Sequence, residues 1–95
     1  AETADYVGKI LHINAGHRLS KQFHEVKEET VYVLKGTLYN YDQDNNIQKF
    51  TPGQSFHVNV GQVHRFGANE SSVEIVEVST PHLNDVVRLA DDYDR

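Results

Sequence analysis

The chain has 95 residues, so one small domain spanning residues 1–95 is expected. An apolar fraction of 38% is too high for a disordered chain, and the absence of cysteine removes disulfide frameworks and thiolate metal sites. Net charge is −5 with scattered basic residues, which argues against a nucleic-acid partner, and no apolar run approaches membrane-spanning length. With no signal peptide visible, the expectation is a soluble, cytoplasmic protein.

Read in chain order, the sequence predicts many short strands and almost no helix. Residues 6–13 are rich in Val, Ile, Tyr and Leu, and residues 19–24 follow Gly16 as a second strand. Residues 30–35 (TVYVLK) form a third, and residues 37–41 follow Gly36. The polar DQDNN stretch then turns the chain into residues 47–50. Thr51-Pro52-Gly53 is a turn, followed by a strand at 55–58. Residues 64–67 and 73–79 read as one further hairpin joined by ANESS. The tail, residues 83–95, reads as a short helix or an extended strap packed on the rest. Short strands with a turn every few residues predict an all-β sandwich or barrel.

The second strand is unusual. Arg18, Ser20, Gln22 and His24 occupy every second position, so one whole face is polar. In a small barrel such a face suits a pocket wall better than a core. Gln22 and His24 share that face, Glu29 comes from the next strand, and His64 from a third. Two imidazoles, a carboxylate and an amide oxygen make a borderline site for one divalent metal ion per chain. Zinc is the first expectation, and iron, manganese, cobalt or nickel also suit. Gln22 is the weakest ligand, and it has the alternative of hydrogen bonding beside a two-His-one-carboxylate set. His12, His17, His57 and His82 lack these spacings and read as ordinary histidines.

Arg18 and Ser20 share the face of Gln22 and His24. A buried Arg18 calls for an anionic partner, either an acidic side chain of the protein or a phosphate or carboxylate on a ligand. Glu77 lies on the same strand face as Val73 and Ile75, where a carboxylate is costly unless paired. It reads either as a salt-bridge partner of Arg88 or Arg18 or as a general base. Glu74 falls on the opposite face. Lys9 and Arg65 read as solvated, with Arg65 facing away from His64.

The motifs resemble the cupin superfamily. The run GHRLSKQ at residues 16–22, followed by His24 and Glu29, is similar to the type II phosphomannose isomerase domain of that superfamily. So are IVEVSTP at 75–81 and DVVRLADDYDR at 85–95. Gln22, where most cupins have the first histidine, is shared with the phosphomannose isomerase branch, and Asn59 stands at a usual proline of the cupins. The departures from that branch are Lys21 for leucine, the loss of two histidines between His24 and Glu29, Thr30-Val31 for HW, and Asp94 for the final glycine.

The resemblance implies a cupin-type jelly-roll β-barrel and a metal held by Gln22, His24, Glu29 and His64. It implies a mannose 6-phosphate/fructose 6-phosphate isomerase-like reaction on a sugar phosphate, with Glu77 and Arg88 catalytic. Arg18, Ser20 and Tyr93 would bind substrate, Tyr93 closing the pocket mouth together with Asp92 or simply anchoring the tail. Two alternatives stay open: a cupin dioxygenase, which a greasy pocket would favour, and a non-catalytic module that binds a sugar or acid. The small core and exposed strand edges also predict a homodimer.

Overall fold

The computed structural model describes residues 6–81 and 85–90, and these contain strands and no helix. The strands are β1 (Val7–Ile13), β2 (Lys21–Phe23), β3 (Glu29–Lys35), β4 (Leu38–Tyr41), β5 (Ile47–Phe50), β6 (Ser55–Val58), β7 (Phe66–Gly67), β8 (Val73–Ser79) and β9 (Val87–Ala90). They form a four-stranded sheet in the order β1-β8-β3-β6, a three-stranded sheet β5-β4-β7 and the pair β2-β9. Isolated bridges Arg18↔Gly67 and Gln22↔His64 join the segment around β2 to the segment around β7. This is the expected all-β jelly roll.

Period-two patterning explains the large sheet. In β3, Glu29, Val31 and Val33 are buried while Thr30, Tyr32 and Leu34 are exposed. In β8, Val73, Ile75, Glu77 and Ser79 are buried. Register then sorts the interior into layers. Ile13 faces Val73, and Leu11 and Val33 flank Ile75. Further along, Lys9 and Val31 flank Glu77, and Val7 and Glu29 flank Ser79. Leu38, Phe66 and Ala68 from the other side complete one core with Ile13, Val31, Val33, Val58, Val73 and Ile75. One end of the barrel interior is therefore apolar, and the other end is polar.

Three expectations change. Residues 64–67 and 73–79 are not a hairpin, because β7 pairs with β4 while β8 pairs with β1 and β3. Chain neighbours here enter different sheets. Of the two readings of the tail, the helix falls away where the tail is described: it is extended there, and β9 pairs antiparallel with β2. Arg65 is buried rather than solvated. Residues 64–68 are buried without a break, with β4 paired to one edge and the 18–22 segment bridged to the other, so alternation does not sort them into a wet and a dry face. Arg65 Nε donates to the Leu19 carbonyl (2.9 Å), and its main-chain N–H donates to Asn40 Oδ1 (3.3 Å).

Gly36 marks the crossing between sheets. Its φ is +77°, and a Cβ there would lie 2.2 Å from the Ser72 carbonyl oxygen at the start of β8. Gly16 has a similar φ of +79° but open space around it. Gly36→Ala should therefore combine left-handed strain of about 1–2 kcal/mol with a backbone clash, whereas Gly16→Ala carries the strain alone. Urea unfolding should show the larger loss in the Gly36 variant.

Candidate metal centre

The polar end of the barrel gathers three buried ligand atoms. His24 follows β2, Glu29 opens β3, and His64 is bridged to Gln22 just before β7. His24 and His64 are 1% exposed and Glu29 is 3% exposed. Glu29 Oε1 lies 3.3 Å from His24 Nε2 and 3.2 Å from His64 Nε2. All three potential ligand atoms fall within 4.8 Å of one another.

The outer ring nitrogens decide which atoms face inward. His24 Nδ1 donates to the Asp85 carbonyl, and His64 Nδ1 donates to the Gln62 carbonyl at 3.3 Å. A carbonyl can only accept, so each Nδ1 carries a proton and each Nε2 is the atom turned toward Glu29, as a lone pair when the ring is neutral and as a donor when it is protonated. Two lone pairs and a carboxylate oxygen at these distances repel one another unless a proton or a cation lies among them. The donor set of imidazole and carboxylate suits a divalent metal ion, so the residues fit the group the sequence implied.

Gln22 stands at the edge of this cluster. Its Nε2 donates to His64 Nε2 (3.3 Å), while its Oε1 accepts from the Ser20 hydroxyl (3.0 Å). The oxygen that would bind a metal is thus turned toward Ser20. Reversing the amide keeps the Ser20 contact, because a hydroxyl can accept as readily as donate, and gives up the bond to His64 Nε2 in exchange for an oxygen facing the cluster.

A cavity of about 440 Å³ opens onto the cluster. Arg18, Ser20, Gln22, His24, Glu29, Glu77 and Arg88 all contribute to its wall, as does Lys9. Arg18 sits with its guanidinium carbon 5.3 Å from the centre of the Tyr41 ring. Arg88 is exposed and lies opposite Gln22 in the β2–β9 register. Lys9, read as solvated, keeps a half-exposed side chain whose Nζ is 4.0 Å from Glu77. Tyr93 and Asp92 lie outside the described residues.

Lys27 is the residue that sequence reasoning missed. It is 4% exposed, with its ammonium 3.6 Å from Glu77 Oε1 and 4.0 Å from Glu29 Oε2. It therefore takes the salt-bridge role assigned to Arg88 or Arg18. Period-two alternation gave no direction for it, because residues 24–28 form a loop between strands.

The two carboxyls titrate in opposite directions. Burial pushes Glu77 up to about 8, with a hydrogen bond to Glu29 and the negative charge there acting the same way. Burial also pushes Glu29 up, but hydrogen bonds from a protonated His64 and from Glu77, with the positive charge of that imidazole ring and of Lys27, outweigh it. Glu29 ends well below the usual carboxylate range. Glu77 is thus the proton-carrying member of the pair without metal, and Glu29 is the anion.

The sign of the linkage follows. Folded Glu77 keeps a proton that the unfolded chain releases near pH 4.5, so its contribution to stability is lost as pH rises toward about 8. Glu29 contributes in the other direction, above pH 4.5, and loses that contribution as pH falls. With a chelator present, the Tm of Glu77→Gln should gain on wild type as pH rises from 5 to 8. Parallel Tm profiles for the two proteins would contradict this.

Residues 9–79 match the family described as the cupin domain. No curated protein is a significant match. Among solved structures, a protein with a double-stranded β-helix domain from Klebsiella pneumoniae superposes with a TM-score of 0.84 at 20% identity, over 96% of this chain and 75% of that one. The polyketide cyclase RemF from Streptomyces resistomycificus gives 0.84 at 19% identity, over 97% and 66%. A sugar phosphate isomerase of the cupin superfamily from Silicibacter pomeroyi gives 0.71 at 19% identity, over 80% of this chain and 50% of that one. At these identities the likeness concerns the fold, and the matched family, spanning most of the chain, establishes that this protein belongs to the cupins.

Proposed function

We propose that this cupin is a metal-dependent aldose–ketose isomerase acting on a sugar phosphate, with mannose 6-phosphate and fructose 6-phosphate as the first pair to test. The observation that carries this reading is the juxtaposition of a buried two-His-one-carboxylate cluster with a second carboxyl, Glu77, held near neutrality inside a cationic cavity. The cavity volume suits a small polar ligand. The run at 85–95, similar to phosphomannose isomerases, and the isomerase among the structural relatives agree with the reaction class.

His24, Glu29 and His64 would hold the metal, with Gln22 as a fourth ligand if its amide reverses. Zinc is the first ion to try. When bound, the ion supplies Lewis-acid polarisation of a carbonyl. Glu77, as a carboxylate, takes the proton from carbon 2 of the open-chain aldose and returns it to carbon 1. The hydroxyl proton moves between the two oxygens, so no external oxidant or reductant is needed. Lys27 and Lys9 offset the charge that Glu77 acquires when it gives up its own proton. Arg88 and Arg18 hold the phosphate, and Ser20 orients Gln22. General base catalysis of this kind contributes about 10²–10⁴-fold. Four cationic side chains in the wall count against an oxygenase built around a greasy pocket.

The purified protein should hold about one metal ion per chain and convert mannose 6-phosphate in a coupled assay. His64→Ala should lose both metal and turnover. Glu77→Gln should keep the metal and lose about 10²–10⁴-fold in kcat. Metal without turnover on any sugar phosphate would sink the isomerase and favour the binding module.

The same reading takes the chain as a homodimer. The outer face of the four-stranded sheet sets Ile10, Val76 and Tyr32 side by side in register, and Ile10 and Tyr32 are 67% and 45% exposed. A second copy packed there would cover them. Sedimentation should report a particle of two chains for wild type, and of one chain for Ile10→Asp.

A further inference from the structure

The loop between His24 and Glu29 makes no strand ladder, so each of its N–H groups needs a partner elsewhere. A single side chain provides most of them. Asp85 Oδ1 accepts from Glu25 N–H (3.1 Å), and Asp85 Oδ2 accepts from Val26 and Lys27 N–H (both 2.7 Å). Thr80 Oγ1 takes the remaining one, from Glu28 N–H (3.3 Å). The main-chain carbonyl of Asp85 is also the acceptor for His24 Nδ1. One residue just ahead of β9 thus binds four consecutive residues, 24 to 27.

Two of those four residues belong to the site. His24 owes the direction of its Nε2 lone pair to the proton that Nδ1 spends on Asp85. Lys27 enters the cavity wall from a loop whose path the Asp85 carboxylate fixes at the Lys27 N–H itself. Charge-assisted bonds of this length are about twice as strong as neutral ones, so the clamp is strong enough to set the path of a loop.

We propose that Asp85 is a positioning residue of the metal centre, acting through His24 and Lys27 and making the C-terminal segment a working part of the site. A carboxylate that only closes a loop would stabilise the fold without affecting how metal is held. Asp42 is such a control. It accepts N–H bonds from Asp44 and Asn46 (both 2.9 Å) in the β4–β5 turn and does not line the cavity.

The test is cobalt(II) titration of wild type, Asp85→Ala, Asp85→Asn and Asp42→Ala, followed by the visible d–d spectrum. Both Asp85 variants keep the main-chain carbonyl that takes the His24 proton and test the carboxylate's hold on the segment that carries it. Loss of such outer-shell positioning weakens metal binding about 10–100-fold. Asp85→Ala should fall in that range with an altered spectrum. Asp85→Asn, which retains one acceptor oxygen, should lie between it and wild type. Asp42→Ala should keep wild-type affinity and spectrum whatever it loses in Tm.

Wild-type affinity and spectrum in both Asp85 variants would overturn the proposal. So would an equal loss in Asp42→Ala. If Asp85→Ala does not fold, Asp85→Asn against Asp42→Ala decides by the same criteria. The proposal rests on the metal centre and not on the isomerase reaction. A wild-type protein that takes no cobalt fails the centre itself, whereas normal binding by the Asp85 variants fails only this inference.

Discussion

The protein turns on the repulsion among three lone-pair donors in a dry place. Nε2 of His24, Nε2 of His64 and Oε1 of Glu29 stand about one contact distance apart, with almost no water to separate them. Desolvated polar atoms in such an arrangement are tolerated only when surrounding groups fix and compensate them. Much of the polar end of the barrel answers that demand. Backbone carbonyls take the outer imidazole protons, Gln22 donates to His64, and Lys27 and Glu77 balance the charge of Glu29. Among the described residues no buried side-chain nitrogen or oxygen is left without a partner.

That demand can be met because the fold separates its tasks along the barrel axis. The strands β1, β3 and β8 each run from an apolar layer at one end to a polar layer at the other. Ile13, Leu38, Val33, Val73 and Ile75 supply the close-packed volume that holds the sheets together. The same strands then deliver Lys9, Glu29 and Glu77 to the site with little freedom in their backbone direction. A side chain placed by a paired strand is held more firmly than one placed by a loop, and the loop carrying Lys27 reaches the same firmness only through Asp85.

How much of this was legible depended on the kind of contact. The shared face of Arg18, Ser20, Gln22 and His24 could be read directly, since period two fixes which residues point together, and all four do line the cavity. Glu77 was legible for the same reason. Lys27 was not, because a loop has no period. Arg65 misled because alternation assumes one wet face, and residues 64–68 have none. The pairing of β8 with β1 and β3, rather than with β7, comes from jelly-roll topology, which local turn signals do not encode. Asp85 opens the run at 85–95 that resembled the family, but its partners left no trace: they are backbone N–H groups some sixty positions away, and backbone groups look alike in any sequence.

Charge is distributed against the overall sign of the chain. The protein carries a net −5, yet Lys9, Arg18, Lys27 and Arg88 line a cavity whose carboxyls are Glu29 and Glu77. Because Glu77 holds its proton up to about pH 8 without metal, the cavity wall is more positive than a count of its acidic residues suggests. A cationic recess in an anionic surface focuses the field toward its own mouth, so that an anion repelled by the rest of the surface is drawn there. The deep cations then differ in kind from the rim. Lys27 is buried and committed to the two carboxyls, so its charge balances the site itself. Arg88 is exposed and lies opposite Gln22, so its charge, with that of half-exposed Lys9, is presented to whatever enters. An anionic group on a ligand therefore meets the rim first, which leaves the uncharged end of the molecule to reach Glu77 and the histidines below.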